Sequence, residues 1–171
     1  MQQFSNGKYL GTNTFEHHFD GIIVSQTRYD EGFSSDWHYH ENPYFAFVLK
    51  GGSVETRRKD KLECLPGMLL FYSSRERHKN EKYKVGTRNF SIEFETNWLK
   101  KMQINKRGFD GRFVIEEQKV KDSLFKTMLE LRDQNSETQL AVETLTAEML
   151  GYCSKVKTSY SAAPDWLLKI K

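Results

Sequence analysis

Trp37-His38-Tyr39-His40-Glu41-Asn42-Pro43-Tyr44-Phe45-Ala46-Phe47-Val48-Leu49-Lys50-Gly51-Gly52 sets two alternating histidines ahead of the longest apolar run in the chain. On an extended backbone successive side chains point to opposite faces, so His38 and His40 share one face while Trp37 and Tyr39 take the other. Trp37 and Tyr39 are expected to pack outward, away from the imidazoles. Pro43 interrupts strand pairing, residues 44–49 are rich in aromatic and β-branched side chains, and Gly51-Gly52 supplies a turn. The stretch reads as strand, jog, strand and hairpin turn, with two imidazoles aimed at one cavity. Glu41 follows His40 directly and should face away from them.

The same reading extends in both directions. Residues 22–29 form a β-branched run bounded by Gly21 and Asp30-Glu31-Gly32, and read as a strand. Residues 53–57 and 62–64, joined across 58–61, read as a hairpin. After Pro66-Gly67 the continuous apolar run 68–72 suits a strand buried on both faces, and His78 follows it. Residues 88–95 alternate, with Phe90, Ile92 and Phe94 on one face and Ser91, Glu93 and Glu95 on the other. Many short strands between turns point to an antiparallel sandwich or barrel rather than a parallel sheet. Residues 1–20 keep no period and read as an arm over the domain. His17 and His18 are adjacent, face opposite ways on an extended chain and cannot easily serve one ion.

Beyond residue 115 the period changes. Val120, Leu124, Phe125, Met128 and Leu131 recur at helical spacing, and so do Val142, Leu145, Met149, Cys153 and Val156. Ser136-Glu137-Thr138-Gln139 has the form of a capping box before the second helix. Residues 116–157 therefore read as an antiparallel helical hairpin. Its apolar stripe either packs on the barrel or, the reading preferred here, forms a homodimer seam through Leu124, Met128, Val142, Leu145 and Met149. Residues 158–171 read as a linker followed, from Pro164, by the opening turns of a further helix that the chain does not complete.

The chain has 171 residues, enough for one core with an appendage. Twenty-six basic residues are scattered among 23 acidic ones for a net charge of +3, which is weak support for direct nucleic-acid binding. Cys64 and Cys153 have no paired spacing and read as free thiols in a reducing compartment. With no signal-peptide pattern and no apolar run of spanning length, the expectation is a cytoplasmic protein without membrane contact.

The spacing Gly32, His38, His40, Tyr44, Gly51 resembles the first motif of the cupin superfamily, with Tyr44 where a glutamate normally stands. Gly67 and His78 fit the second motif, although Ser73 and Arg75 replace its usual proline and glycine. The resemblance covers residues 22–95 and implies a small jelly-roll barrel (fold class mainly β, residues 21–115) with His38, His40 and His78 converging inside. Three neutral imidazoles would hold a divalent transition metal and leave positions open for water or substrate. The missing carboxylate favours the other reading, imidazoles as hydrogen-bonding groups of a polar ligand pocket. Glu93 and Glu95 are candidate replacements that the sequence does not place. Pocket candidates are His38, His40, Tyr44 and His78, with Ala46 and Val48 on the parity of Tyr44 as an apolar wall.

At finer grain, the string from Trp37 to Phe45, together with Cys64-Leu65-Pro66-Gly67-Met68-Leu69-Leu70-Phe71-Tyr72 and Arg88-Asn89-Phe90-Ser91-Ile92-Glu93-Phe94-Glu95, resembles the sensor half of AraC-type transcription regulators. That resemblance implies an effector-binding and dimerisation domain acting on DNA through a C-terminal helix-turn-helix domain outside these residues. It implies a small-molecule effector and a second copy of the chain as partners, and no catalytic activity. A metal-dependent cupin enzyme, an oxygenase or isomerase using His38, His40 and His78, is the alternative, and a stand-alone sugar-binding or structural cupin a third.

Overall fold

The computed structural model describes residues 1–58, 60–104 and 109–161. The chain divides into two compact units, residues 1–103 with 110–116, and residues 104–109 with 117–171. The first unit carries the strands β1 (Gln2–Phe4), β2 (Thr12–Phe19), β3 (Ile22–Arg28), β4 (His38–His40), β5 (Tyr44–Lys50), β6 (Ser53–Arg57), β7 (Asp60–Cys64), β8 (Leu69–Tyr72), β9 (Lys79–Glu81) and β10 (Arg88–Phe94), the short helix α1 (Thr96–Lys101) and the strand β11 (Arg112–Ile115). The second carries α2 (Gln118–Arg132) and α3 (Thr138–Ser161).

Six strands form an antiparallel sheet in the order β11-β8-β5-β10-β3-β2, and three form a second sheet in the order β7-β6-β9. A third, two-stranded ribbon pairs β1 with β4 in parallel, setting Gln2 beside His38 and Phe4 beside His40. Sequential neighbours rarely adjoin in the large sheet, the mark of a jelly roll rather than a meander. Gly51 and Gly52 turn β5 into β6 at φ 78° and 126°, values that side-chain-bearing residues avoid.

The central strands are buried on both faces. Along β5, Tyr44, Ala46 and Val48 point to one side, where they pack with Cys64, Leu70 and Tyr72. Phe45 and Phe47 point to the other, and the Phe45 ring lies 5.5 Å from Phe71 and 5.6 Å from Phe94. Phe94 in turn meets Trp98 of α1 at 6.2 Å. Each such aromatic pair contributes about 0.5–1.5 kcal/mol beyond its burial. Gly21, at φ 80°, lets the chain pass under Trp98, since a Cβ there would stand 2.6 Å from the Trp98 Cβ.

The sequence-based reading of residues 1–20 as an arm without regular structure is corrected. Residues 12–19 form an edge strand on β3, with His17 opposite Val24 and His18 opposite Ile23. Polar side chains at Asn13, Glu16 and His18 on this half-solvated edge obscure its period. His18 is paired with Glu16 at 2.6 Å, and His17 lies between the rings of Phe15 and Phe19, so the two histidines do face apart.

In the second unit α2 and α3 pack antiparallel, with Ser123 Oγ donating to Glu148 at 3.2 Å and Lys119 Nζ lying 5.5 Å from the Tyr152 ring centroid. The cap of α3 sits one residue earlier than the capping box expected at Ser136. Asn135 Oδ1 accepts the Glu137 amide at 2.7 Å, and Thr138 Oγ1 accepts the Asn135 amide at 2.9 Å. Helix α3 continues to Ser161, so residues 158–161 are not linker; Pro164 and the helix expected after it, like the side chain of Val156, lie outside the described residues.

The residues expected at a homodimer seam differ in burial within the single chain. Leu124, Val142 and Met149 are each 0% exposed in the single chain and serve as core, while Met128 and Leu145 are half-buried. Among the described residues, the exposed apolar side chains of these helices are Phe125, Leu129 and Leu140. The helical period identifies a stripe but not which of its flanks is left outside.

Candidate functional site

His38 and His40 come from the same face of β4, as the alternation requires, and both are buried. His78 is brought to them by the backbone. An isolated antiparallel bridge joins His38 to His78, each amide donating to the other's carbonyl, at 2.9 and 3.0 Å. The His38 and His78 rings lie 4.4 Å apart, His38 and His40 5.6 Å, and His40 and His78 5.8 Å. One ring nitrogen from each falls within 4.8 Å of the others.

The ring orientations are set from behind. His38 Nδ1 sits 2.9 Å from the Asp36 carbonyl, and His78 Nδ1 sits 2.9 Å from the Glu76 carbonyl. A carbonyl only accepts, so Nδ1 carries the proton in both rings and Nε2 is left as a bare acceptor. His40 Nδ1 turns toward the Lys8 backbone without reaching hydrogen-bond geometry. Burial, reinforced by the neighbouring His78, pushes His38 down to about 4. Burial does the same to His78, with Arg112 adding to it, again to about 4. His40 is lowered well below its ordinary value by burial and by both neighbours. All three imidazoles are therefore neutral at pH 7, the state in which they ligate metals.

Tyr44 replaces a carboxylate with a phenol. Its oxygen lies 3.4 Å from His78 Nε2, and burial raises its pKa well above the ordinary value, so it stays protonated. The Tyr44 ring stacks on Tyr72 at 4.5 Å and 5°, as their pairing across β5 and β8 dictates. Tyr72 donates to Glu55, a carboxylate only 1% exposed that also faces Arg112 at 3.3 Å. Burial lifts Glu55 to about 7 against the opposing pull of Tyr72 and Arg112.

Neither candidate carboxylate joins the histidines. Glu93 accepts from Asn42 at 2.9 Å, the Gly7 amide at 3.1 Å and the Tyr9 hydroxyl at 3.3 Å, and Glu95 accepts from Asn6 at 2.7 Å. Glu41 is bonded by the Gln3 amide on the outer side, as expected. Among the described residues the ligand set is three imidazoles. That set fits a transition metal that accepts nitrogen donors, with Nε2 unprotonated on two anchored rings. Bound there, such an ion would supply Lewis acidity to a water or ligand beside it.

The chamber around the imidazoles has a free volume of about 40 Å³. Ala46 lines it with Tyr44, whereas Val48 lies on the same face but packs into the apolar cluster beneath. Sequence reasoning missed Tyr9, Leu10, Tyr29, Tyr72, Tyr83, Asn80, Asn89 and Ser91, which complete the lining. Ser91 was on the polar face of an alternating strand, and its parity is a usable signal. Tyr9 stood in the supposed arm, where nothing in the local pattern marks it. Its ring lies 4.9 Å from His40 and closes the chamber.

No protein-family model matches the chain, and no curated protein matches it. Among solved structures, apo ToxT K231A from Vibrio cholerae superposes with a TM-score of 0.63 at 8% identity, covering 84% of this chain and 58% of ToxT. A cupin superfamily protein from Desulfitobacterium hafniense matches at 17% identity and a TM-score of 0.41, over 46% of this chain and 71% of its own. A cupin domain from Bordetella pertussis matches at 14% identity and 0.41, over 51% and 93%. Among the described residues, no helix is long and apolar enough to cross a membrane. With its strand order and its three inward histidines, the chain has a cupin-type jelly-roll fold followed by a helix pair.

Proposed function

We propose that this chain is the effector-sensing and dimerisation part of an AraC-type transcription regulator, and not an enzyme. The observation that carries the reading is the extent of the likeness to ToxT, an AraC-family regulator. A match over 84% of the chain cannot be confined to residues 1–116; it takes in helices as well as barrel. In this reading the signal is received in the histidine and tyrosine chamber, and DNA is contacted by residues outside this chain. An effector acts by binding one arrangement better than another, shifting the population by its differential affinity. Dimerisation through the exposed flank of Leu129 and Leu140, not through the buried Leu124, Val142 and Met149, fits the burial pattern.

The chamber's size constrains the effector. Small-molecule sites usually offer roughly 300–1,000 Å³, and this one holds about 40 Å³. A larger organic effector therefore requires the lining to rearrange, and in this reading Tyr9, held by contacts with His40 and Glu93, is the group that gives way. The test is a thermal-shift screen of small acids, sugars and aromatic compounds, followed by mass spectrometry of the recovered compound. A stabilising compound returned unchanged, whose effect is weakened in Tyr44→Phe, supports the sensor reading. Conversion of the compound overturns it.

The second reading, a metal-dependent cupin enzyme, is supported by one observation, the three buried imidazoles with Nε2 unprotonated on two of them. It leaves the helix pair without a role.

A further inference from the structure

We propose that a second site, on the outer surface of the barrel unit, binds a small phosphorylated molecule bearing a flat ring, of the nucleoside phosphate class. Arg58, Arg75 and Arg77 converge with Trp37 around a recess of about 500 Å³. All three arginines are exposed, and among the described residues none has an ion-pair partner. The acid at the recess, Glu76, is already engaged by Arg57 at 3.1 Å. Guanidinium forks match phosphate oxygens bidentately, and an exposed indole offers a stacking face for a ring. Trp37 is 38% exposed, which leaves part of its indole open to the recess.

The placement follows from the strands that build the chamber. Strand alternation sends His38 inward and Trp37 outward, and the residue before His78, Arg77, likewise faces out. Arg75 sits at φ 61° in a turn pinned by its amide to the His40 carbonyl at 2.9 Å, and Arg58 sits at φ 51° at the tip of the β6–β7 hairpin. Two turns thus present their arginines across a concavity. A compact recess with three free guanidiniums suits a small anion, whereas duplex DNA calls for an extended basic stripe, which this chain's scattered charge does not make.

The experiment titrates the purified chain with ADP, following tryptophan fluorescence and calorimetric heat, with adenosine, inorganic phosphate and a duplex oligonucleotide as comparisons. The expected result is saturable ADP binding that is weakened at least about tenfold in Arg75→Ala/Arg77→Ala. Trp37→Ala should abolish the fluorescence response and weaken ADP more than phosphate. These residues are exposed, so circular dichroism should remain that of the parent. Failure of ADP to bind folded protein at about 5 mM, binding unchanged in the arginine variant, or preference for the oligonucleotide would each overturn the proposal. None of these results bears on the sensor reading, which concerns the inner chamber.

Discussion

Acidification should destabilise this fold through its histidines, and by an amount that the chamber sets. His38 and His78 titrate near 4 in the folded chain against an ordinary 6.5. A folded pKa below the unfolded one means that the unfolded chain takes up the proton first. The contribution of each neutral imidazole is therefore complete above pH 6.5 and is lost as pH falls toward 4, by about 3 kcal/mol apiece. His40, lowered further, adds to the same loss. Glu55 works in the opposite direction, because its folded pKa of about 7 lies above the ordinary 4.5. Its ionisation costs stability above pH 7, and that cost, also about 3 kcal/mol, is relieved as pH falls toward 4.5. Burial also raises Glu93, which acts in the same direction as Glu55, and the balance is a net loss on acidification of about 3–6 kcal/mol. Urea unfolding followed by circular dichroism across this interval, with chelator present, measures it. Glu55→Gln should steepen the acid loss, and His38→Gln should flatten it. A parent chain whose stability is constant or rises between pH 6.5 and 4.5 would refute the reasoning.

Three further outcomes are expected. Zinc added to chelator-treated protein should bind near one ion per chain by equilibrium dialysis, persist down to about pH 5 because protons compete only near 4, and weaken at least about 100-fold in His78→Ala. Gly21→Ala should cost about 3 kcal/mol in urea unfolding, from the strain of a side chain at φ 80° and the contact with Trp98. If the chain dimerises through its exposed helical flank, Leu129→Glu/Leu140→Glu should sediment as a monomer with unchanged helicity, whereas Met149→Glu, at a site with no exposure, should unfold the helix pair. A double variant that remains dimeric puts the seam elsewhere.

The strands that proved legible were those whose pattern has a strong physical cause. β3, β5 and β8 are apolar runs because they occupy the middle of the large sheet and bury both faces, and β10 alternates because its second face turns Ser91 to the chamber and Glu93 to buried hydrogen bonds. The edge strand β2 and the three-residue β1 and β9 lack such a cause. Each pairs along one side only or over too short a span to impose a period, so polar residues are tolerated throughout. His38 and His40 were legible as a pair from alternation alone. Joining His78 to them needed the resemblance to a known family, because what unites them physically is a backbone bridge between residues 38 and 78, which no local pattern encodes. Tyr9 and Glu55 were invisible for the same reason: their roles arise from contacts with Glu93, Tyr72 and Arg112, distant in sequence.

The strand Tyr44–Lys50 carries chamber-facing residues and phenylalanine-layer residues in strict alternation, and this makes folding and recognition share one reading frame. Insertion of a single residue directly after Tyr44 would swing Phe45 and Phe47 into the chamber and thrust Ala46 and Val48 into the aromatic layer. Such a change is never local: it inverts every wall position beyond the insertion. The irregularities the sheet does contain, between Arg88 and Asn89 and between Asn13 and Phe15, lie at strand ends where few inward positions remain to be inverted. Lineages of this domain should therefore vary in length at their turns, and alter what they recognise by exchanging side chains in place.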